Sequence, residues 1–382
     1  VATSTKPSLD LLRQLSDTTV LTALIEHGPS TRAELASATG LSKPTVTESM
    51  RRLEAAGAVL DTGDRSTGRG RAGVYYDLSP ATGLALAVSV APEGIVAEAL
   101  DVRGKVLARE TAGVTRPAKP TAVARALSST AKSALHAAGA DRARLAVVSV
   151  ADPVDRHTGR LVQLPDSPFL VGTLDPAGAL APVVGGSVVV DNDVNWSALA
   201  ERSAGDGDLD DFAFLHLGEG LGCALVADGS VVRGATGLAG EVAHVVVPGP
   251  RGLAMACTEV FERLGLHHEG STAIDVAEVV RSVTGRGARA TARLHVIADA
   301  VAGVVAAVVA VSDPSVVVLG GSWGTEPAVL AAVRERIDSS PRPVPLRPAD
   351  VPDAALAGAR ADAVARLRAL VTQSPPAAET LR

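Results

Sequence analysis

The run Thr31-Arg32-Ala33-Glu34-Leu35-Ala36-Ser37-Ala38-Thr39-Gly40-Leu41-Ser42-Lys43-Pro44-Thr45-Val46 decides how the first part of the chain folds. Thr31 and Glu34 have the spacing of a capping box, in which hydroxyl and carboxylate satisfy backbone N–H groups that the helix start leaves orphaned. A short helix through Ala38 follows, and Gly40 permits the tight turn after it. Ser42 caps a second helix, which tolerates Pro44 in its first turn and runs to about Ala56 with Val46, Met50 and Leu53 on one face. Two short helices with a glycine in the turn form a helix-turn-helix, whose second helix enters the DNA major groove by its N-terminal end. That end carries Lys43, Thr45 and Thr47, with Arg51 and Arg52 further along, within reach of phosphate.

Upstream, Leu11, Leu15, Val20, Leu21, Leu24 and Ile25 predict one or two amphipathic turns ending at His27-Gly28-Pro29. Downstream, Val59-Leu60 and Val74-Tyr75-Tyr76 read as strands of a hairpin. Its tip, Asp64 to Arg71, contains Arg65, Arg69 and Arg71 among glycines, which suits a wing reaching phosphates or a narrow minor groove. Charge is nearly balanced over residues 1–76, so the order of cap, turn, helix and wing carries the expectation of operator DNA as a partner. A helical protein-interaction module with a basic loop is the alternative.

The chain of 382 residues is long enough for two or three domains. Aromatic residues are only 2%, so its cores must be packed from Val, Leu and Ala. A net charge of -6 leaves DNA binding to local surfaces. Cys223 and Cys257 make no disulfide framework and fit a reducing compartment. Residues 1–12 have no signal-type apolar stretch, and Val296–Val311 is interrupted by Asp299 and reads as a buried helix rather than a span. A cytoplasmic protein with no membrane partner is expected.

From Leu84 the texture changes to short Val/Ala-rich strands. Leu84–Val90, Ile95–Asp101 and Lys105–Arg109 predict a meander, Thr121–Ala138 a helix, Leu145–Val150 and Ser187–Asp191 strands, and Val194 to Ser203 a helix. The pattern recurs with strands at Phe212–Leu217, Cys223–Ala227, Ser230–Val232 and Ser315–Leu319. Two such copies predict two α/β lobes with a ligand cleft between them.

Three runs carry a resemblance: Asp191-Asn192-Asp193-Val194-Asn195; Leu217-Gly218-Glu219-Gly220-Leu221-Gly222 with Gly237-Leu238-Ala239-Gly240-Glu241-Val242-Ala243-His244; and Asp313-Pro314 through Gly320-Gly321. In this order, after a winged helix, the chain resembles the ROK family of repressors, open reading frames and kinases. The resemblance implies an α/β fold: an N-terminal winged helix-turn-helix on a two-lobed, actin-like (ribonuclease-H-like) sugar-kinase body. Residues 1–78 would form the DNA-binding domain, 79–193 a first lobe joined by a C-terminal helix around 355–372, and 194–354 a second lobe with an oligomerisation surface. It also implies sugar contacts from Asn192, Asp193, Glu241, His244 and Glu259.

Several departures bear on activity. Where family kinases place Asp-x-Gly-Gly-Thr for ATP phosphates, this chain has Ser89-Val90-Ala91-Pro92-Glu93. Proline offers no N–H, and Glu93 and Glu219 put negative charge where polyphosphate would sit, so no phosphoryl transfer, no catalytic residue and no cofactor are expected. Between His244 and Cys257 the family's zinc-binding cysteines are missing, so no structural zinc is expected. Asp152 replaces a family glycine and is expected to narrow or re-aim the sugar pocket. The leading expectation is a sugar-responsive transcriptional regulator, usually a repressor, acting as a homodimer or homotetramer. An ATP-dependent sugar kinase with an appended DNA-binding domain, and a ligand-independent DNA-binding scaffold, are the alternatives.

Overall fold

The computed structural model describes residues 9–66, 73–116, 118–164, 168–169, 173–205 and 209–373. The first unit consists of α1 (Leu9–His27), β1 (Ser30–Thr31), α2 (Arg32–Thr39), α3 (Lys43–Ala55), β2 (Val59–Arg65) and β3 (Val74–Leu78). Helix α2 starts with the expected box: Glu34 N–H donates to Thr31 Oγ1 at 3.3 Å, and Thr31 N–H to Glu34 Oε2 at 2.7 Å. Gly40 ends it in the left-handed region, and Ser42 Oγ accepts from Thr45 N–H at 3.3 Å to start α3. Val46, Met50 and Leu53 of α3 pack against Val20, Leu21 and Leu24 of α1, and strands β1-β3-β2 complete a winged helix.

The first lobe contributes β4 (Ala85–Ala91), β5 (Gly94–Leu100), β6 (Val106–Ala112), α4 (Pro120–Ala137), β7 (Leu145–Val150), α5 (Pro176–Leu180) and β8 (Val188–Asn192). Next come α6 (Asp193–Ala204), then β9 (Phe212–Leu217), β10 (Leu221–Ala227), β11 (Ser230–Val231), β12 (Val246–Pro248), β13 (Ala254–Ala256), α7 (Cys257–Arg263), α8 (Val276–Thr284), α9 (Ala288–Ser312), β14 (Val316–Gly320), α10 (Pro327–Asp338), β15 (Leu346–Pro348) and α11 (Ala354–Gln373). The two five-stranded sheets have the same plan. In the order β6-β5-β4-β7-β8, an antiparallel meander is extended by two parallel strands; β11-β10-β9-β14-β15 repeats it. Parallel extensions need crossovers, which α4 and α5 supply in the first sheet and α9 and α10 in the second.

Alternation along the strands divides the cores. In the first sheet Leu86, Val88, Ala146 and Val148 face α4, while Ala85, Ala87, Leu145 and Val147 face α11 and Trp196 of α6. In the second, Ala213, Leu215 and Leu319 face α9, while Phe212, Phe214 and Val318 face Val194 and Ala198 of α6. Helix α6 therefore touches both sheets. Gly358 lets α11 approach it closely: a Cβ there would lie 2.0 Å from the Trp196 carbonyl oxygen. The core around α11 is continuous with that of the winged helix. Thr18 Oγ1 donates to the Thr372 carbonyl at 3.0 Å, and Arg103 donates to the Leu24 carbonyl at 2.9 Å, so the winged helix is docked on the first lobe.

Helix α9 is longer than the apolar run suggested, 25 residues in all, long and apolar enough to cross a bilayer by composition. Its Ile297, Val301, Val304, Val305 and Val308 fill the second core, and Asp299 pairs with Arg336 of α10. The stretch without family cysteines forms the β12–β13 hairpin, whose Val247 packs into the same core.

Candidate functional site

The two sheets leave between them a cavity of about 160 Å³. Cavities near 150 Å³ hold a single six-membered ring. Its floor is the start of α6. Asn192 caps that helix: its Oδ1 accepts from Val194 N–H at 2.9 Å, and its Nδ2 donates to the Asp152 carbonyl at 3.2 Å. Asp193 follows in the first turn. Burial pushes its carboxyl up to about 7, with Glu93 adding to the rise and the Val194 N–H opposing it.

Glu241 and His244 also line the cavity. They are delivered by the turn after Gly237 and Gly240. Gly240 has φ +94°, and a Cβ there would lie 1.7 Å from the Cys223 carbonyl oxygen, so only glycine fits. Cys223 N–H donates to the Gly240 carbonyl at 2.9 Å, fixing that turn to β10. Four of the expected sugar contacts, Asn192, Asp193, Glu241 and His244, thus share one cavity.

Glu259 differs from expectation. It is outside the described cavity lining, and its Oε2 accepts from Ala256 N–H at 3.1 Å, so it serves the start of α7. The reason is local: a carboxylate at the third position of a helix reaches back to an orphan N–H. Its neighbour Thr258 faces the cavity instead.

The β4–β5 and β9–β10 turns bring two further carboxylates to the cavity. Ala91, Pro92 and Glu93 of the β4–β5 turn and Glu219 of the β9–β10 turn line it. Arg116 of the first lobe donates from both terminal nitrogens to Glu219 of the second, each at 2.7 Å, and reaches the Pro92 carbonyl at 3.5 Å. Such a fork-to-fork pair is the strong form of an ion pair. His216 sits beside it, with its pKa lowered by burial and partly restored by Glu93. Arg116 and His216 were not singled out in the sequence; the pair joins residues 103 apart and has no local signal. A second tie between the parts, Arg233 to Asp191 at 2.7 Å, was equally silent.

Burial pushes both thiols, Cys223 and Cys257, up to about 12, so they behave as core residues. Among the described residues, no group of three His, Cys, Asp or Glu is placed to hold a metal ion.

On the winged helix, Lys43 and Thr47 are exposed at the start of α3, and Thr45 shares a 2.8 Å hydrogen bond with Ser42. Arg51 is exposed but forked onto Glu48, and Arg65 onto Asp61. Arg52, read in the sequence as facing phosphate, instead turns inward to Asp17 of α1 at 2.6 and 3.0 Å. It ties the recognition helix to α1. Arg69 and Arg71 lie outside the described residues.

The ROK family profile matches residues 86–359, most of the chain. The chain belongs to the ROK family. A winged helix-turn-helix DNA-binding profile matches residues 14–59 ahead of it. Among ROK relatives, a putative xylose repressor of Caldicellulosiruptor sp. (strain Rt8B.4) is 23% identical over 240 residues, 62% of this chain and 60% of that protein. An N-acetylmannosamine kinase of Escherichia coli O1:K1 / APEC is 31% identical over 159 residues, 39% of this chain and 54% of that protein. The chain thus aligns with less than two thirds of the length of these relatives. A ROK family transcriptional regulator described as a homologue of E. coli MLC superposes with a TM-score of 0.62 at 19% identity, over 95% of this chain and 99% of that one. A ROK hexokinase from Thermus thermophilus superposes with a TM-score of 0.57 at 25% identity, over 75% of this chain and 99% of that one. The fold is that of ROK proteins carrying a winged helix, and the family includes both regulators and sugar kinases.

Proposed function

We propose that this ROK protein is a DNA-binding transcriptional regulator, a repressor by default, whose operator affinity is set by a sugar or sugar derivative in the cleft. The observation that carries this reading is continuity. Helix α6 begins with cleft residues Asn192 and Asp193, lies against α11 at Trp196 and Gly358, and α11 meets α1 at Thr372 and Thr18. A ligand that favours one seating of α6 would bias the seating of α11 and hence the winged helix. Regulation requires only that the ligand binds one arrangement better than the other.

In this reading Asn192, Asp193, Glu241 and His244 hold the hydroxyls of the ligand. Lys43, Thr45 and Thr47 meet bases or backbone in the major groove. Arg51 and Arg65 exchange their exposed carboxylate partners for phosphates, an exchange with little cost because exposed ion pairs are weak; Arg69 and Arg71 are further phosphate contacts in this reading. Two half-sites require a homodimer or homotetramer, and the DNA places the protein in the cytoplasm. Phosphoryl transfer is not part of the proposal. It depends on neutralising phosphate charge, and here Glu93 and Glu219 line the cavity with Pro92 between strands.

A second reading, an ATP-dependent sugar kinase with a DNA-binding domain, is favoured by one observation. A carboxyl pushed up to about 7, as at Asp193, suits a general base. ADP release with a hexose panel and MgATP separates the two. The regulator reading expects none above background, together with hexose binding that Asp193→Ala removes. Hexose-dependent ADP release lost in Asp193→Ala would establish the kinase. Hexose binding by neither protein would leave a ligand-independent DNA-binding scaffold.

A further inference from the structure

Arg103 stands where three parts of the fold meet. It lies in the β5–β6 turn of the first lobe, and its side chain leaves that lobe for the winged helix. One terminal nitrogen donates to the Leu24 carbonyl of α1 at 2.9 Å and to the Asp77 carboxylate of β3. The guanidinium thus holds a helix and a strand of the reader together. The Arg103 and Asp77 side chains are 31% and 25% exposed, so water screens this pair less than an exposed one. The turn beneath is fixed as well. Asp101 Oδ1 accepts from the N–H groups of Arg103 and Lys105, each at 2.9 Å. From the other side, Arg368 of α11 donates to the Val102 and Arg103 carbonyls at 3.0 and 3.1 Å.

The covalent connection is pinned too. Residues 79–84 join β3 to β4; a free stretch of that length would reach about 20 Å. Here Ser79 N–H donates to the Ala58 carbonyl at 2.9 Å, and Arg144 donates to the Thr82 carbonyl at 3.3 Å. Gly83 lies so close that a Cβ there would stand 2.7 Å from Arg144 Cδ. The reader therefore has one orientation on the body. A base pair added between two half-sites shifts one of them by about 3.4 Å and turns it by about 35° around the duplex axis. A reader held in one orientation cannot follow that movement, whereas a loosely tethered one can.

We propose that Arg103 is a positioning residue for DNA recognition: by locking the winged helix onto the first lobe, it fixes the half-site spacing that two copies of the chain read. This rests on the homo-oligomeric part of the proposed function. Arg103 itself meets no DNA.

The test uses the half-site that the full chain selects from a random-sequence duplex pool. It is placed singly, and as inverted pairs whose spacing is stepped by one base pair. The unaltered chain should bind one spacing at least about tenfold more tightly than those one base pair away, which fall toward the single half-site. Arg103→Glu sets a carboxylate against Asp77 and the Leu24 carbonyl. It should reduce the preference to about threefold or less while single half-site affinity stays that of the parent. Arg103→Ala should fall between the two. A spacing preference that survives Arg103→Glu would overturn the proposal. So would loss of single half-site affinity in both variants, which would make Arg103 part of the reader's own fold. Where Arg103→Glu alone loses it, Arg103→Ala carries the same comparison. An unaltered chain indifferent to spacing would remove the homo-oligomeric reading and this inference with it, and failure to select any half-site would remove the DNA reader as well.

Discussion

Replacing Asp193 with Asn changes stability in a pH-dependent way whose sign follows from the cleft. The carboxyl stands at about 7 in the folded chain against 3.8 in its unperturbed state, chiefly because burial penalises its charge. Between those values the unfolded chain has lost a proton that the folded chain retains, so this group makes stability fall as pH rises from about 4 to 7. Above 7 the full cost is present; below 4 there is none. The full difference corresponds to about 4 kcal/mol. Asp193 keeps some contact with solvent in the cleft, which reduces the expected figure to roughly 1–2 kcal/mol between pH 5 and pH 8. An asparagine keeps the acceptor toward Val194 N–H and cannot ionise. Asp193→Asn should therefore unfold at higher temperature than the parent at pH 8, by about 2–4 °C per kcal/mol, and by a smaller margin at pH 5, the difference vanishing only below about pH 4. His216, Glu93, Glu219, Glu241, His244 and Asp152 line the cavity in both proteins, so the difference between the two melting curves isolates position 193. A difference independent of pH, or a variant less stable at pH 8 than at pH 5 relative to the parent, would refute the argument.

Three further outcomes are expected. Arg52→Ala should lower the unfolding free energy of the winged helix by about 2 kcal/mol, because it leaves Asp17 half-buried without its fork, while the salt dependence of DNA binding stays that of the parent; a reduced salt slope with unchanged stability would return Arg52 to the DNA face. Gly240→Ala should destabilise by 3 kcal/mol or more on the order of other special-backbone substitutions, and denaturant titration that found a neutral change would contradict the turn at Cys223. Arg116→Ala should release the cross-lobe fork, raise amide exchange in the β4–β5 turn and increase the radius of gyration in solution scattering; unchanged exchange and scattering would show that the pair does not hold the lobes.

Much of this was legible because local signals agreed with tertiary demand. The Thr31–Glu34 box, Gly40 and Ser42 are helix punctuation, and they set α2 and α3 nearly to the residue. Leu145–Val150 and Phe212–Leu217 are buried strands, and continuous apolar runs between turns mark them without needing partners. Helix α1 was harder: Asp17-Thr18-Thr19 interrupts its apolar pattern, and Leu9, Leu11, Leu12 and Leu15 are largely exposed. Strand β15 hides among Pro343, Pro345 and Pro348, residues that edge strands accept and central strands do not. In the cleft, the Asn192-Asp193 helix start and the glycine-bounded Glu241 turn could be read from motifs. Glu259 could not, since a carboxylate at that position serves ligand or helix start equally well until the helix is placed. The Arg116–Glu219 and Arg233–Asp191 pairs depend on folding distant segments together, and nothing local announces them.

The account stands or falls on coupling between cleft and reader. The full chain, used to select duplexes from a random-sequence DNA pool, should recover a repeated half-site motif. Affinity for that duplex should then change at least fivefold on saturation with whichever hexose or amino sugar binds the cleft, and the change should vanish in Asp193→Ala while affinity without sugar stays the same. An affinity indifferent to every sugar that binds, or a sugar effect that persists in Asp193→Ala, would contradict it.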